Sequence, residues 1–201
     1  MLKPPGNKKI LGECLGLVAH LLNENKIKYC ISWGTLLGCV RDNDIIEGDD
    51  DLDFYVDSNE IENVKKIFTK NSFVFRPIHS PIANPYNVLQ FIKKIENIKV
   101  LIDFYPYKNT DLDYVIDYYN HAPYHLKKTI KKATEDREVL HIPKNYFFPF
   151  KLTNFINCKV NIPNNPIALA EWLYGTKFTR KLKEKEYEWK SVNNHPSITI
   201  K

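Results

Sequence analysis

The chain lacks any apolar run near the ~20 residues that a membrane-spanning helix needs. It also lacks a Cys-x-x-Cys spacing. Cys14, Cys30, Cys39 and Cys158 stand apart, without paired histidines, which argues against a structural zinc site. Three of them lie among apolar residues, as core thiols do, and nothing in their placement requires disulfides, so a reducing compartment is the simpler expectation. The first residues, Met1-Leu2-Lys3-Pro4-Pro5-Gly6, are followed by no apolar h-region, and Glu13 and His20 interrupt the next segment, so no signal peptide is expected. These absences point to a cytoplasmic protein, or one peripheral to a membrane. A large charge excess is missing too. The net +5 fits attraction to phosphates or acidic glycans and is too weak to argue for nucleic acid as a partner. There are no internal repeats and no low-complexity segment.

What is present suffices for a packed core: 201 residues, 43% of them hydrophobic. We expect one domain over 1–201, with a core near 8–110 and a helical or loop extension over 111–201. Ile10, Leu11, Cys14, Leu15, Leu17, Val18, Leu21 and Leu22 recur at helical spacing, predicting an amphipathic helix near 8–25. Residues 28–33 read as a strand. Ser58 is placed to cap a helix carrying Ile61, Val64, Ile67 and Phe68 on one face. Phe73-Val74-Phe75 is a short strand. Val88–Ile95 and Ile98–Tyr105 read as two strands joined by a tight turn at Glu96-Asn97. Residues 111–138 look helical and polar, with Lys127, Lys128, Lys131 and Lys132 as a solvated face. His121 and His125, at i,i+4, read as surface or packing residues rather than metal ligands. Asn165-Pro166 starts a helix with Ile167, Leu169, Ala170, Leu173 and Tyr174 on its apolar face, and Gly175 stops it. The charged tail from Lys177 to Trp189 is read as helical.

The segment richest in chemistry is Gly34-Thr35-Leu36-Leu37-Gly38-Cys39-Val40-Arg41, followed by Asp49-Asp50-Asp51-Leu52-Asp53. The alternation Asp51-Leu52-Asp53-Phe54-Tyr55-Val56 predicts a half-buried strand, with Asp51 and Asp53 on one face and Leu52, Phe54 and Val56 on the other. Two carboxylates so spaced can hold a hard divalent cation such as Mg2+. Gly34-Thr35 follows an apolar run, and a strand-to-helix turn of small residues exposes N–H groups suited to phosphate. A solvated acidic loop is the plain alternative. A calcium loop fits less well, because Ile46 falls where an oxygen ligand is required. Asp103, in the apolar strand Ile98–Tyr105, needs a partner, and a third carboxylate for the Asp51–Asp53 pair is the functional reading.

The run Gly34-Thr35-Leu36-Leu37-Gly38-x-x-Arg41-x-x-Asp44-Ile45-Ile46-x-x-Asp49-Asp50-Asp51-Leu52-Asp53 closely resembles the signature of the LicD family, shared with fukutin and fukutin-related protein. Ile102-Asp103-Phe104-Tyr105-Pro106 resembles the later Asp strand of that family. Phe148-Pro149, Ile162-Pro163 and Leu173-Tyr174-Gly175 are similar to its C-terminal pattern, so the likeness runs from about residue 8 to 176. Glu47-Gly48 stands where the family usually has Pro-Trp.

The resemblance implies an α+β, nucleotidyltransferase-type fold: a mixed β-sheet with flanking helices and a C-terminal helical extension. It implies transfer of a phosphorylated alcohol, such as phosphocholine or ribitol phosphate, from a CDP-linked donor to the hydroxyl of a glycan or glycolipid acceptor. Asp51, Asp53 and Asp103 would serve as catalytic and metal residues for Mg2+ or Mn2+. Gly34, Thr35 and Arg41 would bind phosphate, although Arg41 could equally pair with Asp42 or Asp44. A nucleotidyltransferase using a nucleoside triphosphate, and a non-catalytic binding protein on the same fold, are the alternatives. Lys177, Arg180, Lys181, Lys183 and Lys185 could attract an anionic acceptor, or pair with the glutamates among them.

Overall fold

The computed structural model describes residues 7–77, 88–117 and 140–180. The lysines at 127–132, His121, His125, Lys181, Lys183 and Lys185 lie outside the described residues.

Helix α1 (Lys8–Glu24) begins where the Asn7 side chain accepts hydrogen bonds from the N–H groups of Lys9 and Ile10. Its buried face carries Ile10, Leu11, Cys14, Leu15, Val18, Leu21 and Leu22, as the periodicity predicts, whereas Leu17 is only partly buried. Strand β1 (Tyr29–Ile31) then runs into α2 (Trp33–Leu37), which continues as one π-helical turn over Gly38–Asp42. Strand β2 (Asp51–Asp57) carries the acidic motif. After it, the side chain of Asp57 caps the next turn by accepting from Asn59 N, and α3 (Ile61–Lys70) follows. The cap is therefore Asp57 rather than Ser58, because a short 3-10 turn (Ser58–Glu60) precedes the helix.

Strands β3 (Val74–Arg76), β4 (Leu89–Ile95) and β5 (Ile98–Asn109) form an antiparallel run. The β4–β5 turn falls at Glu96-Asn97, both with positive φ, as a two-residue hairpin demands. Strand β2 pairs with β5 in parallel, so the sheet is mixed, in the order β1-β2-β5-β4-β3. Two more strands, β6 (Tyr114–Asp117) and β7 (Leu140–Pro143), extend it from the far end of β5, giving seven strands among the described residues. Residues 114–117 are thus strand where the polar pattern predicts helix. Their pairing partners come from the end of β5 and from residues far downstream, which no local periodicity reports.

A short helix α4 (Lys144–Phe147), a hairpin of β8 (Lys151–Phe155) and β9 (Cys158–Ile162), and α5 (Pro166–Tyr174) complete the described chain. Asn165 caps α5 by accepting from Ala168 N, and Gly175 ends it, as expected. Ile167 is an exception to the predicted apolar face, at 59% exposure. Residues 177–180 are turn and bend rather than helix.

Both faces of β2 are covered. On one, Phe54 and Phe104 stack at 5.4 Å, Phe68 meets Phe104 edge-on at 4.9 Å, and α1 packs above them. On the other, Trp33 of α2 contacts Tyr55, Tyr105 and Tyr174, and Phe147 of α4 contacts Tyr55. The strand is therefore buried through its middle rather than half-buried. Truncating one such buried ring costs about 3–5 kcal/mol, so these clusters fix the relative positions of β2 and β5 firmly. Among the described residues no helix is long and apolar enough to cross a membrane.

Candidate active site

Parallel pairing sets Asp53 directly beside Asp103, and Tyr55 beside Tyr105. Side chains alternate along a strand, so Asp51, Asp53 and Asp103 all point to the same face of the sheet. One carboxylate oxygen from each lies within 4.8 Å of those from the other two. The structure thus brings together the three carboxylates that the sequence singles out. Asp53 is 4% exposed and Asp103 8%, while Asp51 is partly exposed at the mouth.

Neutral donors hold the buried pair in place. Gly34 N–H donates to Asp53 Oδ2 at 2.8 Å, and the Tyr105 hydroxyl lies 3.2 Å from Asp53 Oδ1. The side-chain amide of Gln90 donates to Asp103 Oδ1 at 2.7 Å. Thr35 does not face outward: its hydroxyl oxygen accepts from Asp53 N at 2.8 Å. A Cβ at position 34 would stand 3.1 Å from Asp53 Oδ2 and 3.3 Å from Asp49 Oδ2, so glycine permits this close approach. The preceding Trp33 takes a φ of +38°, unusual for a large side chain. A conformation of that kind costs about 1–3 kcal/mol and here turns the chain so that Gly34 N–H meets Asp53.

Arg41 turns its guanidinium onto Asp42, with Nε–Oδ1 at 3.0 Å and a terminal nitrogen 2.8 Å from Oδ2, the pair being largely buried. The paired alternative is therefore the one realised in this structure.

The carboxylates hold their protons unusually tightly. Burial, followed by repulsion from Asp51 and Asp103, pushes Asp53 well above the ordinary carboxylate range. Asp103 is pushed up to about 6, first by burial, with the Gln90 hydrogen bond opposing and Asp51 adding repulsion. Asp49 is pushed up to about 7 by burial and by Asp51. Asp49, in the loop before β2, is a further acidic member of the site. Asp49, Asp50 and Asp51 also place carboxylate oxygens within 4.8 Å of one another.

Three neighbours escaped the sequence reading in their present roles: Gln90, Tyr105 and Gly34 as holders of carboxylates. Gln90 had a legible signal. The hairpin turn pairs Ile95 with Ile98, and counting back along both strands puts Gln90 opposite Asp103. A lone amide in an apolar strand, opposite a lone carboxylate, is a predictable bond. Gln90→Leu is expected to leave the sheet folded and to weaken divalent-metal binding by about 10–100-fold, the usual cost of losing a partner that orients a ligand. Titration of Mn2+ into the variant checks this, and unchanged affinity would remove Gln90 from the site.

A mixed sheet that presents three carboxylates from two adjacent parallel strands, beside a strand–Gly-Thr–helix turn, is the arrangement of a nucleotidyltransferase-type fold. The sequence description "LicD/FKTN/FKRP, nucleotidyltransferase domain" matches residues 26–165, and the chain belongs to that family. Among solved structures, it is similar to the lincosamide antibiotic adenylyltransferase LnuA with lincomycin bound, at 15% identity and a TM-score of 0.49, covering 95% of this chain and 99% of that one. It is also similar to the antibiotic-resistance factor ANT(2'')-Ia in solution, at 9% identity and a TM-score of 0.49, over 93% of this chain and 81% of that one. A Thermotoga maritima protein described as a nucleotidyltransferase matches at 13% identity and a TM-score of 0.40, over 79% of each chain. No curated protein shows significant sequence similarity to the chain.

Proposed function

We propose that the protein is a metal-dependent transferase that moves a phosphorylated alcohol from a CDP-linked donor to a glycan or glycolipid hydroxyl, releasing CMP. The observation that carries this reading is the Asp51–Asp53–Asp103 cluster, two of its members buried and held only by neutral donors in the bonds described. Uncompensated buried carboxylates are costly, and a hard divalent cation with oxygen ligands relieves that cost. The donor set fits Mg2+ or Mn2+. When bound, such an ion neutralises charge on the donor's phosphates.

The protein's own groups do the rest. The acceptor hydroxyl oxygen attacks the phosphorus that bears the alcohol. A new P–O bond forms there, and the bond from that phosphorus to the oxygen of the CMP phosphate breaks, its electron pair leaving with CMP. The hydroxyl proton passes to the Asp103 oxygen that Gln90 does not hold. Gly34 and Thr35 serve the phosphate site through Asp53, whose carboxylate and backbone they fix. Arg41 would reach a donor phosphate only by giving up Asp42, its partner in this structure. Phosphoryl transfer depends mainly on positioning and charge neutralisation, which suits a site built this way.

A nucleotidyltransferase reaction would use the same carboxylates, and the released nucleotide separates the two. Incubation with Mg2+ and a panel of CDP-alcohols and nucleoside triphosphates, with phosphorus NMR of the products, should show CMP from one or more CDP-alcohols. Pyrophosphate from a triphosphate, with every CDP-alcohol intact, would replace this reading with nucleotidyl transfer.

A further inference from the structure

The cationic and N–H groups expected to meet phosphate near α2 are engaged. Gly34 N–H and the Thr35 hydroxyl bond to Asp53, and Arg41 bonds to Asp42. The opposite side of the carboxylates is different. Strand register draws a straight row across the sheet: Arg76 on β3 pairs with Gln90 on β4, Gln90 with Asp103 on β5, and Asp103 with Asp53 on β2. Residues paired directly across strands share a face. The Gln90–Asp103 hydrogen bond shows that this face is the one bearing the carboxylates.

Arg76 therefore stands on the site's own face, two strand spacings or about 10 Å from Asp103 at the backbone. It is exposed, and it has no hydrogen bond or ion pair among the described residues. Its positive charge is felt at Asp103. The next row along the sheet, Val74–Ile92–Leu101–Asp51, is apolar up to the carboxylate, and Val74 is 64% exposed. Among the described residues, the surface from β3 to β5 carries the exposed Arg76 guanidinium at one edge and carboxylates at the other.

We propose that Arg76 is a substrate-binding residue that holds the diphosphate of the nucleotide donor where it extends from the carboxylates over the β3–β4–β5 face. A guanidinium fork suits a phosphate, and an anion approaching three carboxylates needs a cation close to its path. This rests on the transferase reading proposed above, but only its last detail depends on CDP.

The test is calorimetric binding of CDP and of inorganic pyrophosphate, each with Mg2+, to the wild type, Arg76→Gln, Arg76→Lys and Lys94→Gln. Lys94 is a fair control. It is exposed on the same face, and its loss removes the same charge about 14 Å along β4 from Gln90. Arg76→Gln should weaken both ligands about 10–100-fold, the range for a lost charge-assisted hydrogen bond. Arg76→Lys should recover part of the loss, Lys94→Gln should change affinity by less than about 3-fold, and Mn2+ affinity should not fall in any variant. Equal binding by the wild type and Arg76→Gln overturns the proposal, as does an equal loss in Lys94→Gln, which would indicate a diffuse field. Pyrophosphate binding without CDP binding would count against the CDP-linked donor alone, and the Arg76 comparison would still decide this proposal. Binding of neither ligand to the wild type overturns both.

Discussion

Asp51→Asn should lower turnover by about 10³-fold or more while the sheet stays folded. Asp51 is the member shared by both acidic clusters, and it sits partly exposed at the mouth of the site. Asparagine has nearly the same shape but carries no charge and is a poor ligand for a hard cation. Losing several kcal/mol of charge stabilisation, at about 1.4 kcal/mol per tenfold in rate, gives an effect of this size. Asp53→Asn and Asp103→Asn should behave alike, because register places all three on one face. Initial rates of nucleotide release, alongside circular dichroism of each variant, check the expectation. Turnover near the wild-type value in a folded Asp51→Asn would show that the chemistry happens elsewhere.

The second large effect is on stability. The metal-free protein should become less stable as pH rises from about 4 to about 7, and a divalent cation should restore the loss. Asp53, Asp103 and Asp49 all hold protons more tightly in the folded chain than at the ordinary carboxylate value of 3.8. Their favourable contribution is complete below that value and is lost as pH climbs through about 6 for Asp103 and about 7 for Asp49, with Asp53 following. Asp44, bound to Lys8, shifts the other way, but both side chains are substantially exposed, so screening keeps that contribution small.

At pH 7.5, saturating Mg2+ or Mn2+ at a hundredfold over its dissociation constant would add about 2.7 kcal/mol, or roughly 5–10 °C in melting temperature for a chain of this size. At pH 4.5 protons compete and the metal should add little. Asp51→Asn removes the repulsion common to the other three carboxylates, so its metal-free melting temperature should fall less steeply across the same window. Thermal scans from pH 4.5 to 7.5, with and without metal, provide the measurement. A metal-free melting temperature that rises through this window, with no gain from metal at pH 7.5, would contradict the expectation.

Much of this was legible in the chain. The helix at 8–24 shows in its leucine and isoleucine spacing. The β4–β5 hairpin shows in Glu96-Asn97, where two residues must take positive φ to turn a twisted pair of strands. Asp103 stood out because a carboxylate in an apolar strand needs a reason. Other features depend on contacts between distant segments. Tyr55 and Asp53 lie on a buried face because α2, α4 and α5 fold over it, whereas the alternation in β2 alone suggests one wet face. Residues 114–117 look polar and helical until β5 and β7 supply ladder partners on either side. Gly34 and Thr35 read as a phosphate cradle because a strand-to-helix turn exposes N–H groups. Here Asp53 arrives from β2 and takes those groups, and the unusual φ of Trp33 that allows it has no local signal. The part of the site carried by local pattern and hairpin register was legible, and the part set by the packing of distant segments was not.

The proposed chemistry requires that Asp51, Asp53 and Asp103 hold one divalent cation. Anomalous diffraction from a crystal soaked in Mn2+ at neutral pH tests that directly. We expect an anomalous peak within coordinating distance of carboxylate oxygens from all three residues, and its disappearance in Asp51→Asn. A peak on Asp49 and Asp50 without Asp53 and Asp103, or no peak on this face of the sheet, would contradict it.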